Sequence, residues 1–135
     1  MTVDPTDDRP VYKQLADLIR AQIQQGELRP GQRIPAEHDY AQEQHISRDS
    51  VRKAMAILRN EGLIIVARRG SHVRSRADLT ATNIDQGRIF TRMPTEPERR
   101  QLQIGEGVPI FVIEQDDQED TILPGDRTFI VIKKD

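Results

Sequence analysis

The chain has no cysteine among its 135 residues. Disulfides, thiolate zinc sites and cysteine nucleophiles are therefore excluded. Aromatic residues make up only 4%, so a core has to be built mainly from aliphatic side chains. No apolar run approaches the roughly 20 residues that cross a bilayer as a helix. The acidic, polar opening MTVDPTDDRP lacks the pattern of a secretory signal. A soluble cytoplasmic protein with no membrane contact is the expectation. Metal-ligand spacing, a nucleophile elbow and a phosphate-binding glycine loop are missing as well. His38, His45 and His72 are scattered over a helix, a turn and a strand, where surface or capping roles suit them better than catalysis. Paired carboxylates occur only in flexible acidic stretches. These features point away from an enzyme and call for no cofactor and no metal.

What the chain does have is a polarity of charge. The net charge of −2 averages two unlike halves: residues 1–75 carry 12 basic and 10 acidic side chains, residues 76–135 carry 8 and 12. Between 48 and 76 the count is 8 basic (Arg48, Arg52, Lys53, Arg59, Arg68, Arg69, Arg74, Arg76) against 2 acidic, Asp49 and Glu61. Where charge sits matters more to nucleic-acid binding than its sum. A solvated charged surface is the ordinary explanation of such a cluster. It weakens here because the cluster falls on one predicted helix and the hairpin after it.

The pattern predicts an α+β chain, an N-terminal winged helix-turn-helix followed by a small α/β C-terminal module. Residues 1–9 read as a flexible tail. Pro10 suits the start of a helix, and Val11, Leu15, Leu18, Ile19 and Ile23 follow at helical spacing up to Gly26. Pro30-Gly31 marks a turn, and a short second helix starts at Ile34-Pro35-Ala36-Glu37 and ends near His45. Ser47 can cap a third helix with Val51, Ala54, Met55 and Leu58 as its buried stripe. Gly62 closes that helix. Leu63–Val66 and Ser71–Arg74 read as a hairpin around Arg68-Arg69-Gly70. The DNA-binding domain is thus expected over 10–75 and a linker, with at most a strand end, over 76–86. The module over 87–135 has strands at Arg88–Arg92, Pro109–Gln115 and Arg127–Lys133 and a helix opened by Thr95 and Glu98 at capping-box spacing. The DDQED run between the last two strands reads as a solvated loop.

Arg48 and Arg52 are four residues apart, so they share a helix face. They lie near the end at which a recognition helix enters the major groove, and the guanidinium fork matches the two acceptors of guanine. These two are the expected base readers. Ser47 and Ser50 carry hydroxyls at the anion-favouring helix N-terminus, with Ser50 counted among the base contacts. Arg59, two turns further on, is expected to reach a phosphate, as is Arg33. Arg68 and Arg69 repel each other at the hairpin tip, which a phosphate backbone would relieve. Gly70 would let the backbone approach a minor groove.

These residues together resemble the DNA-binding domain of the GntR family of bacterial transcription regulators. The matching features are Tyr12-x-Gln14-Leu15 with Ile19, Gly26-x-Leu28-x-Pro30-Gly31, Arg33-Ile34-Pro35-Ala36-Glu37, Ser47-Arg48-x-x-Val51-Arg52-x-Ala54, and Leu58-x-x-Glu61-Gly62-Leu63-Ile64 leading to Arg69-Gly70-x-x-Val73. The resemblance implies base contacts from Arg48 and Arg52 and entry of Gly70 into the minor groove. After Pro-x-Glu the family usually has Arg; here it is His38, expected to touch a phosphate with a weaker contact or a different site preference. In the C-terminal half, Met93-Pro94-Thr95, Glu98–Leu102, Ile104-x-Glu106-Gly107-Val108-Pro109 and Pro124-x-Asp126-Arg127 resemble part of the UTRA effector domain of the HutC-like branch. A shortened UTRA-like module of that kind is expected to serve dimerisation or protein contact rather than keep a small remnant pocket, and whether it binds an effector is open. Arg127 is the one residue of this half to watch as an anion ligand, although a surface ion pair suits it better. The expected partners are a double-stranded, pseudo-palindromic DNA operator and a second copy in a homodimer, and the expected function is that of a repressor. The alternative is a winged-helix protein-interaction module without specific DNA binding.

Overall fold

The computed structural model describes residues 2–67 and 70–133. It divides into two compact units, residues 1–76 and 77–135. No helix is long and apolar enough to cross a membrane among the described residues.

The N-terminal unit is built from helices α1 (Val11–Gln24), α2 (Glu37–Gln44) and α3 (Arg48–Asn60) and strands β1 (Ile64–Ala67) and β2 (Gly70–Val73). Pro10 stands at the N-cap of α1. Gly26 follows that helix with φ +81, a left-handed value that suits glycine at a helix end. Helix α1 buries Leu15, Ala16 and Ile19. Helix α3 buries Val51, Ala54, Met55 and Leu58, the one-sided spacing of an amphipathic helix. Ile34, Tyr40, Ile64 and Val73 join the same cluster. Burial, with Glu43 adding to it, pushes the Tyr40 phenol up to about 12. Across the surface, Arg20 donates to both Glu61 oxygens at 2.8 and 2.5 Å and to Asp17 at 2.7 Å. That ties α1 to the end of α3.

Residues 31–34 form a third rung on the hairpin. The Gly31 N–H donates to the Val73 carbonyl at 2.8 Å, the Val73 N–H to Gln32 at 2.9 Å, and the Ile34 N–H to Ser71 at 3.0 Å. Arg33 faces His72 in an antiparallel bridge. The start of the chain also differs from a free tail. Val3 is buried in the core, and its N–H donates to Oε1 of buried Gln44 at 2.8 Å. Gln14 accepts from the Asp4 N–H at 2.7 Å and donates to the Asp4 and Arg9 carbonyls. One valine followed by Asp-Pro has no periodicity to reveal it; Gln44 of α2 supplies its partner, and Gln14 of α1 that of Asp4.

The C-terminal unit has strands β3 (Thr80–Ile84), β4 (Arg88–Arg92), β5 (Ile110–Glu114), β6 (Thr121–Pro124) and β7 (Thr128–Ile132), with helix α4 (Glu96–Leu102) between β4 and β5. β4, β5 and β6 form an antiparallel sheet in that order, and β3 pairs in parallel with β7. Thus β3 stands where the sequence suggested a linker with at most a strand end, and β6 follows the DDQED run, which is the exposed loop expected of it. Thr80–Ile84 is short and mostly polar, and its partner lies 48 residues away, so its pairing is decided by the tertiary fold. β6 contains Pro124, a poor strand residue tolerated at a sheet edge. Ile104, Val108, Ile110 and Val112 form the small core, with Leu102 and Ile122 against it. The Thr95–Glu98 capping box is present on α4, with Glu98 accepting from the Thr95 N–H at 2.8 Å. Arg127 lies 3.5 Å from Asp126, an ion pair whose carboxylate is buried rather than on the surface as expected.

Candidate nucleic-acid interface

Helix α3 presents its N-terminal end to solvent. Ser47 caps it, its Oγ accepting from the Ser50 N–H at 3.1 Å and lying 3.0 Å from Ser50 Oγ. The cap fixes the first turn, and the first turn fixes where Arg48 and Arg52 project. Both arginines are exposed, one turn apart on the flank of the helix, roughly a quarter turn from the buried stripe. Lys53 is held by Asp49 at 3.3 Å and lies 5.7 Å from the Tyr12 ring centroid. Asp49 also sits in the first turn of α3, where a carboxylate complements the helix dipole.

Arg52 is not a bare cation. Its Nη2 lies 3.5 Å from Glu37 Oε2, with the two side chains 64% and 34% exposed. A pair this open is worth at most about 1 kcal/mol, too little to withhold Arg52 from a better partner. Glu37 is the first residue of α2 and carries the family-like Pro-x-Glu pattern. Sequence reasoning used it only as a motif; the contact with Arg52 depends on how α2 and α3 cross.

The wing is the second part of the surface. Gly70 opens β2 opposite Ala67. Its φ is +122, and a side chain there would put a Cβ 2.8 Å from Arg33 Nη2. Arg33 and Gly70 are therefore one feature of the surface, although 37 residues separate them in the chain. Arg33, Ile34, Pro35 and Glu37 line a cleft of about 220 Å³ with Met55, Gly70 and Ser71. His38 is exposed on α2. Arg59 stands apart. It is half-buried, its Nε is enclosed by protein, and eleven residues of helix put it ~16 Å along the axis from Arg48. Arg68 and Arg69 lie outside the described residues.

Residues 11–73 match the model of bacterial regulatory proteins of the gntR family. YtrA from Sulfolobus acidocaldarius, described as a GntR-family transcription factor, is 37% identical, with a TM-score of 0.52 over 54% of this chain and 78% of that one. The chain belongs to the GntR family. The GntR-like half is also similar to the DNA-binding domain of AraR solved in complex with operator ORX1, at 31% identity and a TM-score of 0.50, over 54% of this chain and 94% of that one. MngR of Escherichia coli (strain K12), the mannosyl-D-glycerate transport/metabolism system repressor, is 35% identical over 127 residues, 91% of this chain and 51% of MngR. The chain spans about half the length of MngR and a smaller share of other curated relatives it matches. The GntR winged helix thus corresponds to the unit that carries Arg33, Glu37, Arg48, Arg52 and Gly70.

Proposed function

We propose that this chain is a sequence-specific DNA-binding transcription regulator, a repressor that binds a two-fold-related operator as a homodimer. The observation that carries the reading is the pair Arg48 and Arg52, exposed one turn apart at the serine-capped end of α3. In this reading the end of α3 enters the major groove, and the two guanidinium forks take guanine acceptors. Ser50 adds a contact to a base edge, and Gly70 lets the wing backbone into the minor groove. Ser47, His38, Arg68 and Arg69 serve the phosphates. A regulator of the HutC-like branch, with a C-terminal unit of UTRA type, is the reading supported by the Met93-Pro94-Thr95, Glu106-Gly107-Val108-Pro109 and Pro124-x-Asp126-Arg127 patterns. That unit supplies the dimer contact, which sets the two recognition helices about one helical turn apart.

Selection of binding sites from random duplex DNA tests this reading. The expected result is a two-fold symmetric motif, bound with an affinity that falls linearly in log[salt] as counterions are released. Failure to bind DNA at any salt would sink it in favour of the winged helix as a protein-interaction module, whose apolar contacts would be nearly indifferent to salt.

A further inference from the structure

We infer that Arg33 is a minor-groove reader acting together with Gly70, rather than the phosphate contact its position ahead of α2 suggests; this rests on the DNA-binding reading above. The backbone around Arg33 belongs to the wing. Residues 31–34 run along β2 through three main-chain hydrogen bonds, and Arg33 bridges to His72. The guanidinium then lies against the one residue of the wing that has no side chain. A Cβ on Gly70 would stand 2.8, 3.0 and 3.2 Å from Nη2, Nε and Cζ of Arg33. The fork thus occupies the space a side chain would fill, while the Gly70 backbone sits at φ +122, where L side chains are rare.

Two consequences follow from that packing. Gly70 does more than thin the wing, because it makes the seat on which a planar cation rests. A guanidinium seated on the backbone also goes where that backbone goes, whereas a long side chain standing alone would settle on the nearest phosphate. A narrow A·T minor groove has an enhanced negative potential that draws arginine. A G·C pair places the guanine N2 amino group in that groove, in the way of a donor that has no acceptor capacity of its own. The wing positions of the operator should therefore prefer A·T, and the preference should follow minor-groove chemistry alone.

Inosine separates the grooves, because an inosine·cytosine pair shows the major-groove acceptors of G·C but lacks the N2 amino group. The test uses the operator found by selection, with A·T, G·C or inosine·cytosine at the wing positions. The parent is expected to bind the A·T and inosine duplexes alike and the G·C duplex about tenfold more weakly. Arg33→Ala should bind all three alike, keep its preference at the bases read by Arg48 and Arg52, and melt with the parent, since Arg33 is exposed. Arg33→Lys should keep the parent's salt dependence while losing part of the discrimination. If Arg33→Ala instead weakened all three duplexes by one factor and lowered the salt slope by about 1, Arg33 would be a phosphate contact. If the inosine duplex behaved like G·C, the preference would belong to the major groove. Either result overturns the inference and leaves the DNA-binding reading standing, whereas a parent that selects no motif overturns both.

Discussion

The two units bury apolar surface to very different extents. In the N-terminal unit three helices and a hairpin share one cluster, and Leu15, Ile19, Val51, Leu58, Ile64 and Val73 are almost wholly enclosed. In the C-terminal unit the cluster is four residues with two more against it, and Ile89, Phe90, Met93, Val131 and Ile132 remain exposed. A chain poor in aromatics can still close a core when its aliphatic residues lie on helix faces that point at one another. Short strands close less fully, because a small sheet has little to bury itself against: β5 is largely buried, but β4 beside it is exposed along its whole length. The exposed strand β4 is consistent with the dimer role proposed for this unit.

Truncating the better-built core should have the largest effect. Leu58→Ala removes a fully enclosed side chain and should cost about 2–5 kcal/mol. Denaturant unfolding followed by hydrogen exchange would show the loss in residues 2–76. A loss of protection confined to the C-terminal unit would contradict the separate cores. Next is Arg48→Ala, which leaves folding untouched and should weaken operator binding by about 1–3 kcal/mol while relaxing base preference. Titration against operator and scrambled duplex checks this; equal affinity of variant and parent for the operator would remove α3 from the role of reader. Ser47→Ala lies between the two classes, because the serine caps the helix and does not fill the core. About 1 kcal/mol of stability should be lost, and calorimetry that found no change would mean the cap hydrogen bond contributes nothing in solution.

The smallest effect belongs to the C-terminal unit. Glu98 accepts from Arg92 at 2.7 and 2.8 Å and from the Thr95 N–H at 2.8 Å. The Arg92 contact first, and the Thr95 N–H next, hold its carboxyl down to about 2 from an ordinary 4.5. Its folded value lies below its unfolded one, so its contribution is complete above about pH 4.5 and fades as pH falls towards 2. Amides at the start of α4 should lose protection through that window. A carbon-detected titration of Glu98 with a midpoint near 4.5 would refute the Arg92 and Thr95 contacts as the source.

Much of the interface was legible along the chain because its signals are local. Ser47 at the right distance before a one-sided apolar stripe marks the start of α3, and the i, i+4 spacing then sets Arg48 and Arg52 on one face whatever the rest does. Thr95 and Glu98 announce α4 in the same way. What escaped were partnerships between distant segments. β3 is a polar pentapeptide until β7 lies beside it, and Val3 belongs to a tail until Gln44 accepts from it. Arg59 has the spacing of an outward cation, yet it is half-buried. Glu37 is a motif letter until the crossing of α2 and α3 brings it to Arg52.

The amino-acid order by itself determined the helices, the Ser47 and Thr95 caps, the hairpin and the identity of the exposed arginines, since helical period, capping and turn chemistry act within a few residues. Only the tertiary structure decided which separated groups share a surface: Arg33 with Gly70, Glu37 with Arg52, β3 with β7. Those pairings depend on backbone hydrogen bonds and packing between segments tens of residues apart, and no local preference of either segment encodes them.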